Sequence, residues 1–172
     1  MNFEDGMNNW CGVWQSIGEL MSIGDGGIGR RGLVARRVFE RAATAWSNYR
    51  LDKALSFMSE DVEHTLNVDG EIVPFATSVK GKAAMRKKLQ MVLDTFEIGA
   101  YVTDHIAVQG RMLRANMKIV YIHRASGERL ITRFRFVIRQ RNGLMERIDE
   151  FHDAAYLESF MRYVSTPANG RK

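Results

Sequence analysis

Two long segments of alternating apolar and polar residues constrain the fold of this chain more than any other feature. Every second residue over 113–121 is apolar, and residues 130–138 repeat the alternation with a single threonine among the apolar positions. Ser126-Gly127 joins the two segments, and Asn142-Gly143 joins the second to a third at residues 144–151. Successive strand side chains point to opposite faces, and such dipeptides supply the positive φ of tight hairpin turns. The sequence therefore predicts three antiparallel strands with one apolar face and one arginine-rich face.

The other segments predict helices and two further strands. Apolar residues recur at intervals of three and four, which places them on one side of a helix, and Asp52 and Asp153 stand where a side chain caps a helix start. The predicted helices cover residues 33–49, 52–58, 82–96 and 153–164, and the additional strands cover 62–68 and 97–108, with a loop at 69–80. The third helix is expected to turn four basic residues to solvent: Lys82, Arg86, Lys87 and Lys88.

This order of elements predicts an α+β domain in which a cone-shaped, curved antiparallel sheet wraps around three helices. The predicted domain covers residues 33–164 and encloses an elongated apolar pocket. Residues 1–32 hold eight of the fifteen glycines, and glycine at that density loses too much backbone entropy on folding to form a stable element. We therefore expect residues 1–32 to be a peripheral extension, with at most one short helix at 10–21, and residues 165–172 to be a polar tail.

Composition narrows the class of function. The 172 residues carry a net charge of +5, a single cysteine at Cys11, and no apolar run long enough to span a membrane. These features predict a cytoplasmic protein without a membrane span, a disulfide framework or a metal cluster, and we expect no cofactor. Nucleic-acid surfaces interleave aromatic side chains with cations, whereas the aromatic residues of the predicted sheet point inward, which argues against nucleic acid as a partner.

Four motifs stand in order along the chain: Leu51-Asp52-Lys53-Ala54-Leu55, Met58-Ser59-Glu60-Asp61-Val62, Lys80-Gly81-Lys82-Ala83-Ala84 and Ile148-Asp149-Glu150-Phe151-His152-Asp153. Together with the order of helices and strands over residues 33–164, they resemble the nuclear transport factor 2-like superfamily, and within it the SnoaL-like and ketosteroid-isomerase-like branch. The resemblance implies the same cone, also described as cystatin-like, with an apolar pocket for a small hydrophobic molecule. It also implies a homodimer through the outer sheet face.

The positions that catalyse steroid isomerisation in that branch hold other residues here. The resemblance places the isomerase tyrosine at Ala42, its general base at Leu66, and its second acid at Phe134 or Arg135. None of these side chains can play the corresponding role. The resemblance therefore implies the fold without implying that reaction.

Glu150 is the predicted catalytic residue. Strand parity places Glu146, Ile148, Glu150 and His152 on one face, and the resemblance implies that this face looks into the pocket. Because an apolar environment disfavours a carboxylate, we expect the pKa of Glu150 to rise toward the range useful for proton transfer. The alternative is that Glu150 pairs with a helix donor and only rigidifies the sheet.

His64 is the predicted proton partner of Glu150, because imidazole titrates near neutrality. The resemblance implies that His64 lies across the pocket mouth from the last strand. The alternative is a partly buried histidine that fills space and bonds to the backbone. His152 is expected at the rim of the pocket.

Large apolar and aromatic side chains form the predicted ligand-binding wall: Trp46, Tyr49, Phe57, Phe75, Leu89, Met117, Tyr121, Phe134 and Phe136. Two classes of function remain open. The first is a cofactor-free isomerase, dehydratase or hydrolase that uses Glu150 and His64. The second is a non-catalytic carrier of a small hydrophobic ligand.

The arginine-rich outer face is the predicted dimer contact. Like charges at this density repel one another unless counter-charges are supplied. We therefore expect Arg133, Arg135 and Arg147 to lie near acidic residues of a partner subunit, such as Asp149.

Overall fold

Six strands form one sheet whose concave face is covered by helices. The computed structural model describes residues 29–166. The helices are α1 (Arg30–Ser47), α2 (Leu51–Leu55), α3 (Lys82–Thr95) and α4 (Ala154–Ser165), with a 3₁₀ turn at Pro74–Ala76. The strands are β1 (Met58–Leu66), β2 (Val79–Lys80), β3 (Phe96–Gln109), β4 (Met112–His123), β5 (Arg129–Arg141) and β6 (Leu144–His152). The predicted α+β cone is confirmed.

Strand direction differs from the prediction at one pair. The sheet order is β2-β1-β6-β5-β4-β3, and β3 to β6 pair as consecutive antiparallel hairpins. β1, however, runs parallel to β6, so the prediction of a wholly antiparallel sheet is wrong there. Short turns enforce antiparallel pairing, whereas a long connection permits either direction. Some 77 residues separate the end of β1 from the start of β6 (66 to 144).

The turn residues have the backbone that their sequence requires. Asn142 and Gly143 both have positive φ, 53° and 76°, in the hairpin between β5 and β6. Gly127 has a φ of 73° in the hairpin between β4 and β5. These turns fix the register of the three strands, since a one-residue slip would move every buried side chain to the opposite face.

The core lies between the concave face of the sheet and α1 and α3. Leu113, Met117 and Ile119 of β4 are at most 2% exposed, and they join a cluster that includes Phe39 of α1 and Met85 of α3. Burying each such side chain contributes about 1.5–3 kcal/mol. A second cluster closes the other end of the cone, where α4 packs Leu157, Met161 and Val164 against Phe75, Phe96 and Leu130.

A bulge in β6 changes the face of one predicted pocket residue. Arg139 pairs with Arg147, but the next residue of β5, Gln140, pairs with Met145, so Glu146 is the extra residue. A bulge of this kind interrupts the alternation of side chains. Met145 is therefore buried, and Glu146 instead binds two outer arginines, Arg139 and Arg141. The prediction that Glu146 shares the pocket face is wrong.

Several helices and strands begin or end at residues other than those predicted from the sequence. α1 begins at Arg30, inside the segment predicted as peripheral, and its Gly32 is buried. α2 ends at Leu55, so β1 starts at Met58 rather than at residue 62. The expected short helix at residues 10–21 and the end of the polar tail lie outside the described residues. Within residues 29–166, no helix combines the length and hydropathy needed to cross a membrane.

Candidate active site

A cavity of about 110 Å³ lies between the concave sheet face and helices α1 and α3. Most of its wall is apolar, including Phe39, Met85 and Ile148. An engineered cavity of about 150 Å³ is known to hold benzene, so this space is on the order of one small ring. The polar or amphipathic side chains on its wall are Trp46, His64, Lys88, Tyr101, Tyr121, Glu150 and His152.

Glu150 and two histidines form a hydrogen-bonded cluster on this wall, which we call the inner cluster (His64, Glu150 and His152). One carboxylate oxygen of Glu150 lies 3.0 Å from His64 Nε2, and the other lies 2.6 Å from His152 Nε2. The side chains of His64 and His152 are 3% and 7% exposed, and that of Glu150 is 16% exposed. The carboxylate is thus bound on both oxygens by imidazoles that are nearly removed from water.

The parallel pairing of β1 with β6 creates this cluster. Leu66 lies opposite Glu150 and His64 opposite Ile148, so the inward side chains of neighbouring strands meet. His64 therefore lies beside the last strand, not across the pocket mouth as expected. The bond between His64 and Glu150 joins residues 86 positions apart in the chain.

His152 is held in place from three directions, although it was expected at the rim. Its backbone N–H donates to Asn67 Oδ1 at 2.7 Å, and its carbonyl accepts from Asn67 Nδ2 at 3.0 Å. Its ring stacks on Phe134 with 4.6 Å between centroids and 14° between planes. Its Nε2 binds Glu150. The ring is therefore fixed against the carboxylate, which makes His152 a member of the site.

The pKa of Glu150 moves in the direction opposite to the one expected. Burial acts to raise it, but hydrogen bonds from His152 and His64, together with the positive charge that these rings carry when protonated, outweigh burial and hold the pKa well below its usual range. The expected rise is therefore wrong. Hydrogen bonds to the charged form favour that form even in a buried site. Glu150 is consequently an ionised acceptor at neutral pH and not a poised acid.

Each histidine of the inner cluster has one nitrogen without a partner. Nδ1 of His64 and Nδ1 of His152 are buried and make no hydrogen bond to the described residues. When Nε2–H donates to a carboxylate, Nδ1 of the neutral ring carries a lone pair. A carboxylate that fixes the tautomer of an imidazole also stabilises the imidazolium formed when the free nitrogen takes up a proton. The inner cluster thus has the parts of an oriented general base, and because both Nδ1 atoms are buried, a ligand reaches them only when the surrounding side chains shift.

Lys88 is an unpredicted member of the cavity wall. It was expected on the solvent face of α3, but it is 5% exposed and lines the cavity. Its Nζ donates to the carbonyl oxygen of Thr77 at 2.9 Å. Burial lowers the pKa of the Lys88 amine to about 8, while the charge of Glu150 acts to raise it. The placement on the solvent face is therefore wrong.

Two tyrosines add hydroxyl groups to the wall. Trp46 Nε1 donates to the Tyr121 hydroxyl at 3.1 Å, and Tyr101 lies nearby on β3. Burial raises the pKa of both phenols, and the charge of Glu150 adds to this for each. Both phenols therefore stay protonated at neutral pH, so they can serve as hydrogen-bond donors to a ligand.

The structure places the predicted wall residues in two groups. Five line the cavity: Trp46, Phe75, Leu89, Tyr121 and Phe136. Four do not line it: Tyr49, Phe57, Met117 and Phe134. Tyr49 is 45% exposed and its hydroxyl bonds the backbone of Ile98, Phe57 lies near Lys53, Met117 is packed in the core, and Phe134 supports the ring of His152.

Among the polar or amphipathic wall residues, three were not predicted to line the cavity, and two of these had a readable signal in the sequence. Lys88 lies three residues after buried Met85 and four before Val92, which is the spacing of a shared helix face. His152 lies two residues after Glu150, so strand parity already placed both on one face. Tyr101 had no comparable signal, because its inward direction depends on the pairing of β3 with β4, where it lies opposite Ile119.

The opposite face of the same strands carries a second charged group, which we call the outer network (Glu63, Arg147 and Asp149). Arg147 Nε lies 3.1 and 3.0 Å from the two carboxylate oxygens of Asp149, and Glu63 approaches Arg147 Nη1 at 3.4 Å. Thr65 donates to Asp149 at 2.7 Å. The counter-charges expected from a partner for Arg147 are thus already present within the chain.

The outer face also holds exposed apolar side chains, which were not predicted from the sequence. Val102, Ile131 and Phe151 are 52%, 42% and 40% exposed, and Arg135 lies 5.6 Å above the Phe151 ring. The expectation that every aromatic residue of the sheet points inward is therefore wrong at Phe151. Among the described residues, no group of three His, Cys, Asp or Glu side chains is arranged to hold a metal ion.

Comparisons with known proteins identify a domain family. A family model described as a SnoaL-like domain matches residues 39–148. A comparison with curated proteins finds no significant match. The region matched by the family model includes α2, α3 and β1 to β5 in full, and it ends within β6 before Glu150.

Solved structures with the same fold differ widely in sequence. An NTF2-like protein of unknown function from Burkholderia pseudomallei is 15% identical, with a TM-score of 0.69, and the match covers 77% of this chain and 98% of that one. TerC, co-crystallised with polyporic acid, is 14% identical at a TM-score of 0.68, covering 75% and 98%. An LEH-like epoxide hydrolase from M. tuberculosis is 12% identical at 0.62, covering 76% and 91%. At such identities the similarity shows the fold alone.

Proposed function

The chain belongs to the SnoaL-like domain family, and from that premise we propose that its cavity binds a small, mainly apolar organic molecule and moves a proton on it without a cofactor. The observation that supports this most directly is the inner cluster, in which a buried carboxylate orients two histidines beside an apolar cavity. TerC, which shares the fold at 14% identity, was co-crystallised with polyporic acid. Isomerisation, dehydration and hydrolysis each include a proton transfer that such a base assists.

The roles within the inner cluster differ from those expected from the sequence. Because its pKa is held low, Glu150 remains the ionised acceptor and acts as a positioning residue. His64 and His152 are the groups that exchange the proton, through the Nδ1 atoms that have no partner among the described residues. The carboxylate stabilises whichever imidazole becomes charged. General-base groups of this kind contribute about 10²–10⁴-fold to rate.

A generic carbon acid tests this base without knowledge of the natural ligand. In 5-nitrobenzisoxazole, a base removes the C3 proton, the N–O bond breaks, and a cyanophenolate forms that absorbs visible light. Entry of the probe is verified first by the NMR shift of the indole N–H of Trp46, which lines the cavity. We expect turnover above buffer, and a loss of about 10²-fold or more in Glu150→Gln.

Asp149→Asn is the matched control for Glu150→Gln. It removes the carboxylate of the adjacent residue, which belongs to the outer network. We therefore expect turnover of 5-nitrobenzisoxazole to stay unchanged. His64→Asn and His152→Asn identify which ring takes the proton, since asparagine retains hydrogen bonding but no base. If the probe occupies the cavity and the wild-type chain reacts no faster than Glu150→Gln, the proton-transfer function is excluded.

A carrier function is the second candidate, and one observation favours it. The side chains at the positions of the isomerase tyrosine and base, Ala42 and Leu66, form apolar parts of the cavity wall. A pure carrier needs no base, so its ligand affinity would be unaffected or improved by Glu150→Gln, which removes a buried charge. The carrier function would be favoured if the wild-type protein and Glu150→Gln both bind toluene and neither converts the benzisoxazole.

We also propose a homodimer through the outer face of the sheet. The exposed side chains of Val102, Ile131 and Phe151 supply apolar area there, and exposed apolar groups rimmed by charges are typical of protein contacts. Ile131→Asp should convert a dimer to a monomer in light scattering at low micromolar concentration. A wild-type chain that is monomeric under the same conditions contradicts the proposed dimer.

A further inference from the structure

Lys88 has surroundings that differ from those of the neighbouring lysine on its helix. Its side chain is 5% exposed and lines the cavity, whereas Lys87 is exposed to solvent. Its Nζ makes one hydrogen bond, to the carbonyl oxygen of Thr77, and no carboxylate of the described residues lies within 4.0 Å. An ammonium has three N–H donors. Protonated Lys88 would therefore have two N–H donors without a partner among the described residues.

This environment favours the neutral amine. Burial lowers the pKa of Lys88 to about 8. At pH 7, Lys88 is therefore uncharged in about a tenth of the molecules. For a lysine with the usual pKa of about 10.4, the neutral fraction is a few parts in ten thousand. The neutral amine is the nucleophilic form, and lysines desolvated in apolar pockets are the ones that react with carbonyl groups.

We propose that Lys88 is a carbonyl-capture residue, whose amine forms a Schiff base with an aldehyde or ketone held in the cavity. The apolar wall binds the hydrocarbon part of the ligand, and the Thr77 carbonyl holds Nζ at the wall. This inference rests on the proposed function only in requiring that the cavity admits a small organic molecule. It defines the ligand class more narrowly, as a compound with one accessible carbonyl and an apolar body of about one ring.

The reaction is balanced without an oxidant or reductant. Nζ attacks the carbonyl carbon and forms the C–N bond, and a proton passes from nitrogen to oxygen to give a carbinolamine. The C–O bond then breaks as the oxygen takes a second proton and leaves as water, giving the protonated imine. The inner cluster lies on the wall of the same cavity and supplies groups that can exchange these protons.

Reductive trapping tests the inference directly. The full chain is incubated at pH 7 with benzaldehyde and sodium cyanoborohydride, which reduces an imine to a stable benzylamine, and peptide mapping by mass spectrometry locates the adduct. Lys87, the adjacent and exposed lysine, is the internal control. We expect Lys88 to be labelled at least about tenfold faster than Lys87, since burial favours the nucleophilic neutral amine at Lys88 and the apolar wall holds the aldehyde beside it. Excess toluene should slow labelling of Lys88 and leave that of Lys87 unchanged.

Two variants make the result decisive. Lys88→Arg retains a cation but no nucleophilic amine, and it should lose the fast adduct. Lys87→Arg should retain it. Equal labelling of Lys87 and Lys88, or a fast adduct that persists in Lys88→Arg, overturns the inference. The adduct is detected by its mass, and its formation does not depend on turnover of the benzisoxazole. If the protein does not catalyse the benzisoxazole reaction, the labelling of Lys88 can still be interpreted. Conversely, toluene binding with unselective labelling excludes carbonyl capture and leaves the proposed proton transfer untouched.

Discussion

Asp149 and Glu150 are adjacent carboxylates on one strand, yet they lie in different chemical surroundings. Asp149 faces outward, where Arg147 and Thr65 bind it beside solvent. Glu150 faces the cavity, where two imidazoles bind it and no arginine within residues 29–166 forms an ion pair with it. The pKa of each is held below its usual range against the effect of burial. A permanent cation stabilises the outer carboxylate, whereas the inner one depends on groups that can themselves lose or gain a proton.

Because of this difference, the outer face serves a structural role and the inner face can take part in proton transfer. An arginine is always charged, so the outer network cannot exchange protons near neutral pH. The inner cluster instead holds its carboxylate with histidines, whose imidazole nitrogens can accept and donate protons. Burial also strengthens each interaction and makes an unmatched group costly. We therefore expect substitutions in the inner cluster to have large effects and those in the outer network to have small ones.

The largest expected effect comes from removing each carboxylate in turn. Glu150→Ala leaves two buried Nε2–H donors without an acceptor, each costing about 1–3 kcal/mol, so we expect a loss of about 2–6 kcal/mol in the free energy of unfolding. Asp149→Ala should cost less than about 1 kcal/mol. Urea unfolding at pH 7 measures both. Equal losses would show that the two faces are energetically alike.

Lys88 should give the next largest effect, and one of opposite sign. Its folded pKa of about 8 lies below the ordinary 10.5, so the unfolded chain binds more protons between these values and stability rises with pH across that window. The full difference amounts to about 3 kcal/mol. Lys88→Met should be more stable than wild type at pH 7, with a gap that narrows from pH 8 to 10. Lys87→Met should show no such trend.

Lowering the pH should reduce the contribution of Glu150 to the free energy of unfolding, and over the accessible pH range this loss is smaller than the two effects above. Because the folded pKa of Glu150 is below its ordinary 4.5, its contribution is fully present above that pH and is lost as the pH falls toward the folded value. The slope reaches about 1.4 kcal/mol per pH unit for one proton. Glu150→Gln should therefore flatten the decline in stability below pH 4.5. A decline that is unchanged in this variant would show that Glu150 does not titrate with unfolding.

Salt should produce the smallest effect and distinguish the faces most simply. At about 1 M salt the Debye length falls to about 3 Å, so exposed charges are screened while buried ones are not. The destabilisation caused by Asp149→Asn should vanish at high salt, and that caused by Glu150→Ala should persist. Chemical unfolding with urea in low and high sodium chloride measures both. A strong salt response in Glu150→Ala would mean that solvent reaches the inner cluster.

Local sequence patterns were enough to predict most of the sheet. Alternation over β4 and β5 determined which side chains are buried, because each strand side chain points opposite to its neighbour. Asn142 and Gly143 predicted the hairpin that sets the register of β6, since both adopt positive φ. The sequence resemblance added the concave pocket and directed attention to Glu150. These signals are local, or depend on short connections that leave the chain few alternatives.

The sequence by itself therefore determined the four consecutive strands β3 to β6, their tight turns and the apolar face of β4 and β5, whereas β2 lies inside the predicted loop at 69–80. Only the tertiary structure decided the direction of β1 beside β6, which brings His64 to Glu150 across 86 positions, and the bulge that removes Glu146 from the pocket. It also decided that Lys88 is buried at the cavity and that two histidines hold the pKa of Glu150 down instead of letting burial raise it. The physical reason is that alternation and helical spacing report which side of an element is apolar, whereas pKa and hydrogen bonding depend on atoms contributed by distant segments.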